Sequence, residues 1–493
     1  MPRRILLAMV IFARLSQLAG AAPTEAHRPN IVFILADDLG GRDLGCYGST
    51  FHETPNLDRF AAGAMRFTEA YAACSVCSPT RASILTGKYP ARLGLTDWLP
   101  GRADRPDQKL KRPSIIRQLP LEEVTFAEAL KEAGYRTAFI GKWHLGGKGF
   151  FPEQQGFDIN IGGCQLGHPP SYFSPYSIPT LPDGPQGEYL TDRLTDEALK
   201  FLEANRAGPF LLYLSHYAVH NPQQAKPELI ERFRAKLAKA PASSGPEFLP
   251  EGVSKARQIQ NQPVYAAMLQ SLDESVGRIL RKLDELGLST NTVVIFNSDN
   301  GGLSTAEGAP TSNFPLRAGK GWPYEGGVRE PLIVRWPGVT APNSVCRTAT
   351  MSTDYYPTIL QMAGLPLRPE QHVDGVSLVP LLKAGTIAER PLFWHYPHYS
   401  NQGGGPCGTV RVGNLKLVEW FEDMRVEMFD LKSDLEEKHD LAGKMPEQAR
   451  ALREQLLDWR KSVNALMPTP NPGWTGASVS KNKAKSGKAT QDR

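Results

Sequence analysis

Cysteine is scarce in this chain, six in 493 residues. That excludes a small disulfide-stapled scaffold, which needs a far denser framework. The six are Cys46, Cys74, Cys77, Cys164, Cys346 and Cys407, an even number that permits pairing without fixing it. There is no HExxH and no pair of CxxC motifs, so the usual zinc spacings are missing. Cys74 and Cys77 form a lone CxxC, but Pro79 and Arg81 beside it do not suit a thioredoxin-like helix start. Long apolar runs are also missing. ILLAMVIFA (Ile5 to Ala13) is too short to span a bilayer. With Arg3 and Arg4 before it and Ala19-Gly20-Ala21 after it, this run reads as a leader over residues 1–21. We therefore expect an exported protein, periplasmic or secreted, without stable membrane insertion.

A charge surplus on the body is absent as well. The formal net charge is +5, but Arg3, Arg4 and Arg14 supply +3 of it. The segment 471–493, low in apolar residues and expected to be a disordered basic tail, supplies a net +4. The body between them carries −2. Nucleic-acid binding would need a basic patch on that body, so no nucleic-acid partner is expected.

What is present is a repeated pattern of short apolar runs that end in polar groups. NIVFILADDLG ends in Asp37 and Asp38, and NTVVIFNSDNGG ends in Asp299 and Asn300. YRTAFIGKWHLG ends in Lys142 and His144, and PFLLYLSHYAVHNP ends in His216 and His220. Such runs, rich in β-branched and aromatic residues and lacking alternation, read as strands buried on both faces. Helical patterns lie between them. TFAEALKEAG opens on a Thr125 cap with Glu128 three residues on, and residues 263–287 carry one long apolar stripe. The fold class is therefore α/β, a large and mostly parallel central sheet flanked by helices. A smaller C-terminal antiparallel sheet plus helix follows from TVRVGNLKLVEW, RVEMFDL and the helical run 446–463. We divide the chain into residues 28–365 (catalytic), 366–470 (α+β) and the tail.

Ligands of such sheets sit beyond the carboxyl ends of the strands, where all four polar clusters fall. Asp37, Asp38, Asp299 and Asn300 offer only oxygen, and their mutual repulsion calls for a cation. Oxygen-only ligation selects a hard ion, and a flexible site favours Ca²⁺ over Mg²⁺. A DD pair after a strand commonly serves as a cap or turn; its pairing with SDNGG supports the metal reading. Arg81, Lys142, His144 and His220 add donors and titratable groups suited to a charged oxyanion.

These residues resemble the type I, formylglycine-dependent sulfatases, arylsulfatase-like members of the alkaline phosphatase superfamily. The resemblance rests on CSPTR (Cys77 to Arg81), NIVFILADDLG, GKWHLG, SDNGG and GKGWPYEGGVREP, and it covers nearly the whole body of the chain. It implies an alkaline phosphatase-like fold and a sulfuric ester hydrolase. It further implies that Cys77 is oxidised by a formylglycine-generating enzyme to Cα-formylglycine (3-oxoalanine). The hydrated aldehyde would attack sulfur with one hydroxyl and expel sulfate through the other. Asp37, Asp38, Asp299, Asn300 and the converted Cys77 would ligate Ca²⁺. Arg81 and Lys142 would hold formylglycine and developing charge, and His144 would be the base. His220 would contact the sulfate and the leaving oxygen, and Lys320 would bind sulfate and assist the leaving group. His168 or Ser171 would fill a further polar position, and His216 reads as a supporting or core histidine.

The expected substrate is a small sulfated saccharide. The alternatives are a phosphodiesterase or phosphonate monoester hydrolase of the same superfamily, or a silent sugar-binding protein if Cys77 stays unconverted. The loops around Trp98 and Tyr172, and the segment Phe393–Gly405, are candidate pocket walls, with plain loop packing an equal reading for the first two. The charged segment 223–262 reads as an insertion that covers the cleft or runs over the surface.

Overall fold

The computed structural model describes residues 28–241 and 245–476. The leader 1–21 and most of the basic tail lie outside them. At the start of that tail the Asn471 amide donates to the carbonyls of Arg105 and Gln108.

The central sheet has nine strands. In chain order they are β1 (Asn30–Ala36), β2 (Met65–Tyr71), β3 (Arg136–Gly141), β4 (Ile159–Ile161), β5 (Phe210–Ser215), β6 (Thr292–Ser298), β7 (Arg329–Arg335), β8 (Ser344–Cys346) and β9 (Thr350–Met351). Across the sheet the order is β8-β2-β7-β6-β1-β5-β3-β4, with β9 also on β2. β6, β1, β5, β3 and β4 are mutually parallel, whereas β7 runs against both of its neighbours. The four runs singled out in the sequence are thus the four adjacent central strands.

Every residue of β1 is buried, because the period of two sends alternate side chains into two separate cores. Val32 and Ile34 join a layer with helices Pro55–Ala62, Leu190–Ala204 and Pro263–Glu285. Ile31, Phe33 and Leu35 join one with helices Cys77–Thr86, Phe126–Glu132 and Tyr355–Met362. In that second layer Tyr213 stacks between Phe33 at 4.9 Å and Phe139 at 5.2 Å. The helix at Phe126 starts as expected, with a reciprocal capping box between Thr125 and Glu128.

The C-terminal sheet pairs Leu392–Tyr396, Cys407–Val412, Leu415–Trp420 and Val426–Asp430 in antiparallel order, and helix Pro446–Ser462 covers it. A dry ion cluster joins it to the larger unit. Lys416 Nζ lies 2.9 Å from Glu325 and 3.0 Å from Glu437, with all three side chains fully buried. Burial raises the Glu325 carboxyl, but Lys416 and then Arg329 hold it down to about 2. Burial pushes Glu437 up to about 7. Segment 223–262 forms helix Pro227–Lys239, seated on helix Pro263–Glu285, and a hairpin, Phe248–Glu251 with Ser254–Arg257. All six cysteines are free thiols. No helix among the described residues is long and apolar enough to cross a membrane.

Lys416→Met should cost about 3–5 kcal/mol, because it strips Glu437 of its buried cation while it faces Glu325, which keeps Arg329; thermal melts against the parent protein test this. A second expectation concerns pH. Burial drives His216 to about 3, His395 to about 4 and His398 to about 3. The unfolded chain therefore takes up these protons first as pH falls below about 6.5. Stability should be fully present above that pH and decline toward pH 4, by up to about 1.4 kcal/mol per pH unit for each histidine. An unchanged melting temperature between pH 7 and pH 5 would contradict this.

Candidate active site

Strand register builds the site. Ala36 pairs with Ser298, and both Leu35 and Gly141 pair with Ser215. The residues that follow, Asp37, Asp299, Lys142 and His216, emerge along one edge. Gly141 is required there: its φ is 108°, and an added Cβ would sit 1.8 Å from the Ser215 carbonyl oxygen. Asp38 and His144 also occupy the left-handed region, at φ 60° and 58°. Backbone strain of this kind is concentrated at functional positions.

Cys77 enters from the other side of the cleft as the first residue of helix Cys77–Thr86, every residue of which is buried. Pro79 is tolerated because the first-turn N–H groups have no helical partner. Gly87 in the left-handed conformation ends the helix, its N–H donating to Ser83. The Thr80 hydroxyl accepts from the Cys74 N–H and donates to the Cys74 carbonyl, which ties the turn before the helix to its first coil. The helix N-terminus thus aims its partial positive charge at Cys77.

Each buried carboxylate has its own cation. Lys142 Nζ donates to Asp37 at 2.6 Å, Lys320 Nζ to Asp38 at 2.8 Å, and Arg81 Nε to Asp299 at 2.8 Å. Arg81 also donates to the Lys142 carbonyl and the Ser215 hydroxyl. The repulsion expected among the carboxylates is therefore already offset by three basic side chains. Among the described residues two oxygens of this cluster have no hydrogen-bond partner, Asp37 Oδ1, which has only Arg81 Nη2 at 3.7 Å, and Asn300 Oδ1. Single ligating atoms of Asp37, Asp38 and His220 lie within 4.8 Å of one another. Asn300 Nδ2 donates to Asp38 Oδ1 at 2.7 Å, and Asp299 Oδ1 accepts from the Asp38 N–H at 3.2 Å. Two orphaned buried oxygens in an oxygen-rich cluster fit a hard cation. Burial raises Asp37 well above the usual carboxylate range, with Lys142 opposing. Asp38 is lowered despite burial, chiefly by Lys320 and then His220.

The histidines are oriented by their second nitrogens. His144 Nε2 lies 2.6 Å from the Leu99 carbonyl, which can only accept, so Nε2 carries the proton. Its Nδ1 lone pair faces Cys77 Sγ at 3.4 Å. Burial, then Lys142, keeps this imidazole neutral far below the usual pH. His220 Nδ1 faces the Asn221 carbonyl at 2.9 Å, so Nε2 accepts from Lys320 Nζ at 3.0 Å. Lys320 stays protonated: burial opposes charge, but Asp38 raises its pKa.

The structure brings Cys77, Arg81, Lys142, His144, His220, Lys320, Asp37, Asp38, Asp299 and Asn300 together. His216 turns away, its Nε2 3.0 Å from the Ser275 hydroxyl in the helical layer. His168 is exposed and stacks parallel on His220 at 6.1 Å, while Ser171 turns inward to the Phe173 carbonyl. Tyr172 is not a pocket wall. It is fully buried, and its hydroxyl donates to the carbonyls of Tyr217 and His220. Trp98 is partly buried against a cluster containing Cys74 and Trp322. Sequence reasoning missed Ser215 and the Leu99 carbonyl, neither of which belongs to a recognisable motif.

The fold and the site together define a hydrolase of the alkaline phosphatase superfamily. The chain belongs to the sulfatase family, enzymes that hydrolyse sulfate esters: residues 29–365 match the family described as Sulfatase. Residues 318–462 match the N-sulphoglucosamine sulphohydrolase C-terminal family. Arylsulfatase A of Homo sapiens is 35% identical over 449 residues, which span 84% of this chain and 77% of the human protein. N-acetylgalactosamine-6-sulfatase of Rattus norvegicus is 35% identical over 441 residues, 84% of this chain and 75% of the rat protein. The crystal structure of Ps i-CgsB superposes with a TM-score of 0.73 at 27% identity, covering 91% of this chain and 95% of that one.

His144→Ala should lower kcat by about 10²–10⁴-fold, the usual worth of a positioned base. KM and melting temperature should change little; a comparable loss of folded protein would instead assign His144 a structural role.

Proposed function

We propose that this sulfatase hydrolyses a sulfate monoester on a small carbohydrate, using Cys77 in its formylglycine form and one Ca²⁺ held by Asp37, Asp38, Asp299 and Asn300. The observation that carries this reading is Cys77 itself. It is buried at a helix N-terminus, faces the free lone pair of His144, and lies beside an oxygen cluster with two unpartnered atoms.

Converted and loaded, residue 77 and the cation supply an activated hydroxyl aimed at sulfur and, through a second hydroxyl, a route for sulfate release. The chain's own groups do the rest. His144 Nδ1 takes a proton at residue 77, its tautomer fixed by Leu99. Arg81 and Lys142 present positive charge to the ester oxygens. Lys320 keeps its proton through Asp38 and donates a hydrogen bond to neutral His220 Nε2, which makes the ammonium the proton source for the leaving oxygen, with His220 positioning it. With a divalent ion holding Asp37 ionised, three carboxylates balance three basic side chains, and the ion would leave a surplus of two positive charges, matched to an anionic ester and to sulfate dianion.

Carbohydrate as substrate is supported by the relatives that carry sugar names, and by Ps i-CgsB, also solved in complex with k-i-k-neocarrahexaose. The leader-like N-terminus supports export, after or during maturation by a formylglycine-generating enzyme.

The test combines mass spectrometry of the Cys77 peptide, metal analysis and a substrate panel. We expect formylglycine at residue 77, stoichiometric calcium, loss of turnover in Cys77→Ala, and higher kcat/KM on a sulfated sugar than on an aryl sulfate. An unmodified thiol in fully active protein, or a phosphate diester as the best substrate, would overturn the proposal.

A further inference from the structure

One arc of side chains borders the His220–Lys320 end of the cleft and takes no part in the chemistry above. Asn221 follows His220 directly. Its Nδ2 lies 3.4 Å from both the carbonyl and Oε2 of Glu307. Its Oδ1 accepts from Gln223, which fixes the amide's orientation. Gln402 approaches from the C-terminal region. Its Nε2 donates to Glu307 Oε1 at 2.8 Å, and its Oε1 accepts from the Ser400 hydroxyl at 2.6 Å. Gln402 is 4% exposed and packs on the residue after Lys320: a Cβ added at Gly321 would meet Ser400 Oγ at 2.0 Å and Gln402 Oε1 at 2.7 Å. Two oriented amides, each anchored beside a catalytic residue, thus converge on Glu307.

Glu307 itself is exposed, and among the described residues no lysine, arginine or histidine pairs with it. Its backbone sits at φ 53°, within a run of positive φ through Gly308 and Ala309. Each of its oxygens has one amide donor, whereas a carboxylate offers about four acceptor sites. Through Asn221 and Gln402 this carboxylate is tied to the residues that directly follow His220 and Lys320. A carboxylate with free acceptor positions suits neighbouring sugar hydroxyls. An uncompensated negative charge at the same place repels a uronate or a second sulfate.

We infer that Glu307 is a specificity determinant that accepts hydroxyls of the leaving sugar and selects substrates with no further anionic group beside the scissile ester. The inference rests on the carbohydrate sulfatase reading and names the substrate class within it: singly sulfated neutral or N-acetylated sugars.

The experiment compares matured wild-type protein with Glu307→Gln and Glu307→Ala, both checked by melting temperature. The probes are the positional monosulfates of galactose, N-acetylgalactosamine and N-acetylglucosamine, and the same sugars linked to a hexuronate. The readout is the ratio of kcat/KM for each neutral sugar to that for its uronate-bearing partner. We expect a wild-type preference for the neutral member that weakens with added salt. The ratio should fall by about tenfold in Glu307→Gln, the effect of one charge a few ångströms away in a partly shielded rim. A ratio within twofold of wild type in both variants, with sugar sulfates still hydrolysed, overturns the role of Glu307 and leaves the proposed function standing. Failure of the wild-type protein to hydrolyse any sugar sulfate overturns the reading beneath it, and the inference with it.

Discussion

The structure depends on how three carboxylates and three cations are buried together at one edge of a sheet. Asp37, Asp38 and Asp299 lie at most 1% exposed, a burial that no isolated charge tolerates. Each has a basic partner drawn from a different part of the chain: Lys142 from the end of β3, Lys320 from a loop, Arg81 from the motif helix. None of these pairs is local, so the register of four strands and the docking of one helix must all be correct before all of the charges are satisfied. The balance is neutral, yet Asp37 Oδ1 and Asn300 Oδ1 remain unpartnered. Local satisfaction with a small remainder is a fitting state for a site that takes up one more charged group.

Much of this was legible in the sequence, for a physical reason. Strands buried on both faces give unbroken apolar runs, and parallel sheets collect function at their carboxyl ends, so Asp37, Asp299, Lys142 and His220 form one group in the sequence itself. The motif helix, the capping box at Thr125 and the C-terminal sheet followed from equally local signals. What was not legible depends on contacts between distant segments. The Leu99 carbonyl that sets the tautomer of His144 has no side-chain signature. The Ser215 hydroxyl is one serine at a strand end. For the loop at Tyr172 the sequence leaves a pocket wall and plain loop packing equally open, and only the assembled contacts decide: the ring of Tyr172 is fully buried and its hydroxyl braces the turn that carries His220. The lysine and arginine partners were in the candidate set, but their one-to-one pairing with the carboxylates was not, because pairing is a property of the assembled edge.

The two structural units also share the site rather than divide it. Lys416 joins Glu325 and Glu437 in a dry cluster, and Gln402 lies against the turn that carries Lys320. The clustered carboxylates and basic side chains come from the larger unit, while Gln402 beside them comes from the smaller one. On the proposed reading, changes in the C-terminal region would alter which substrate is accepted without touching the reacting atoms, a separation common where loops on a rigid scaffold carry specificity.

The burial of Cys77 has a consequence in time. Its side chain is 2% exposed, within a helix wholly enclosed between the sheet and its neighbours. No macromolecular catalyst can grasp residues 77–81 in that state. Any enzymatic conversion of this thiol must act on a chain that is still open, so it competes with folding itself. A variant that folds faster would narrow that interval, and one that folds more slowly would widen it. Were activity to require the proposed conversion, the fraction of active molecules would be set by the order of two events during biosynthesis, and a protein with a flawless final structure would be inert because it closed too soon.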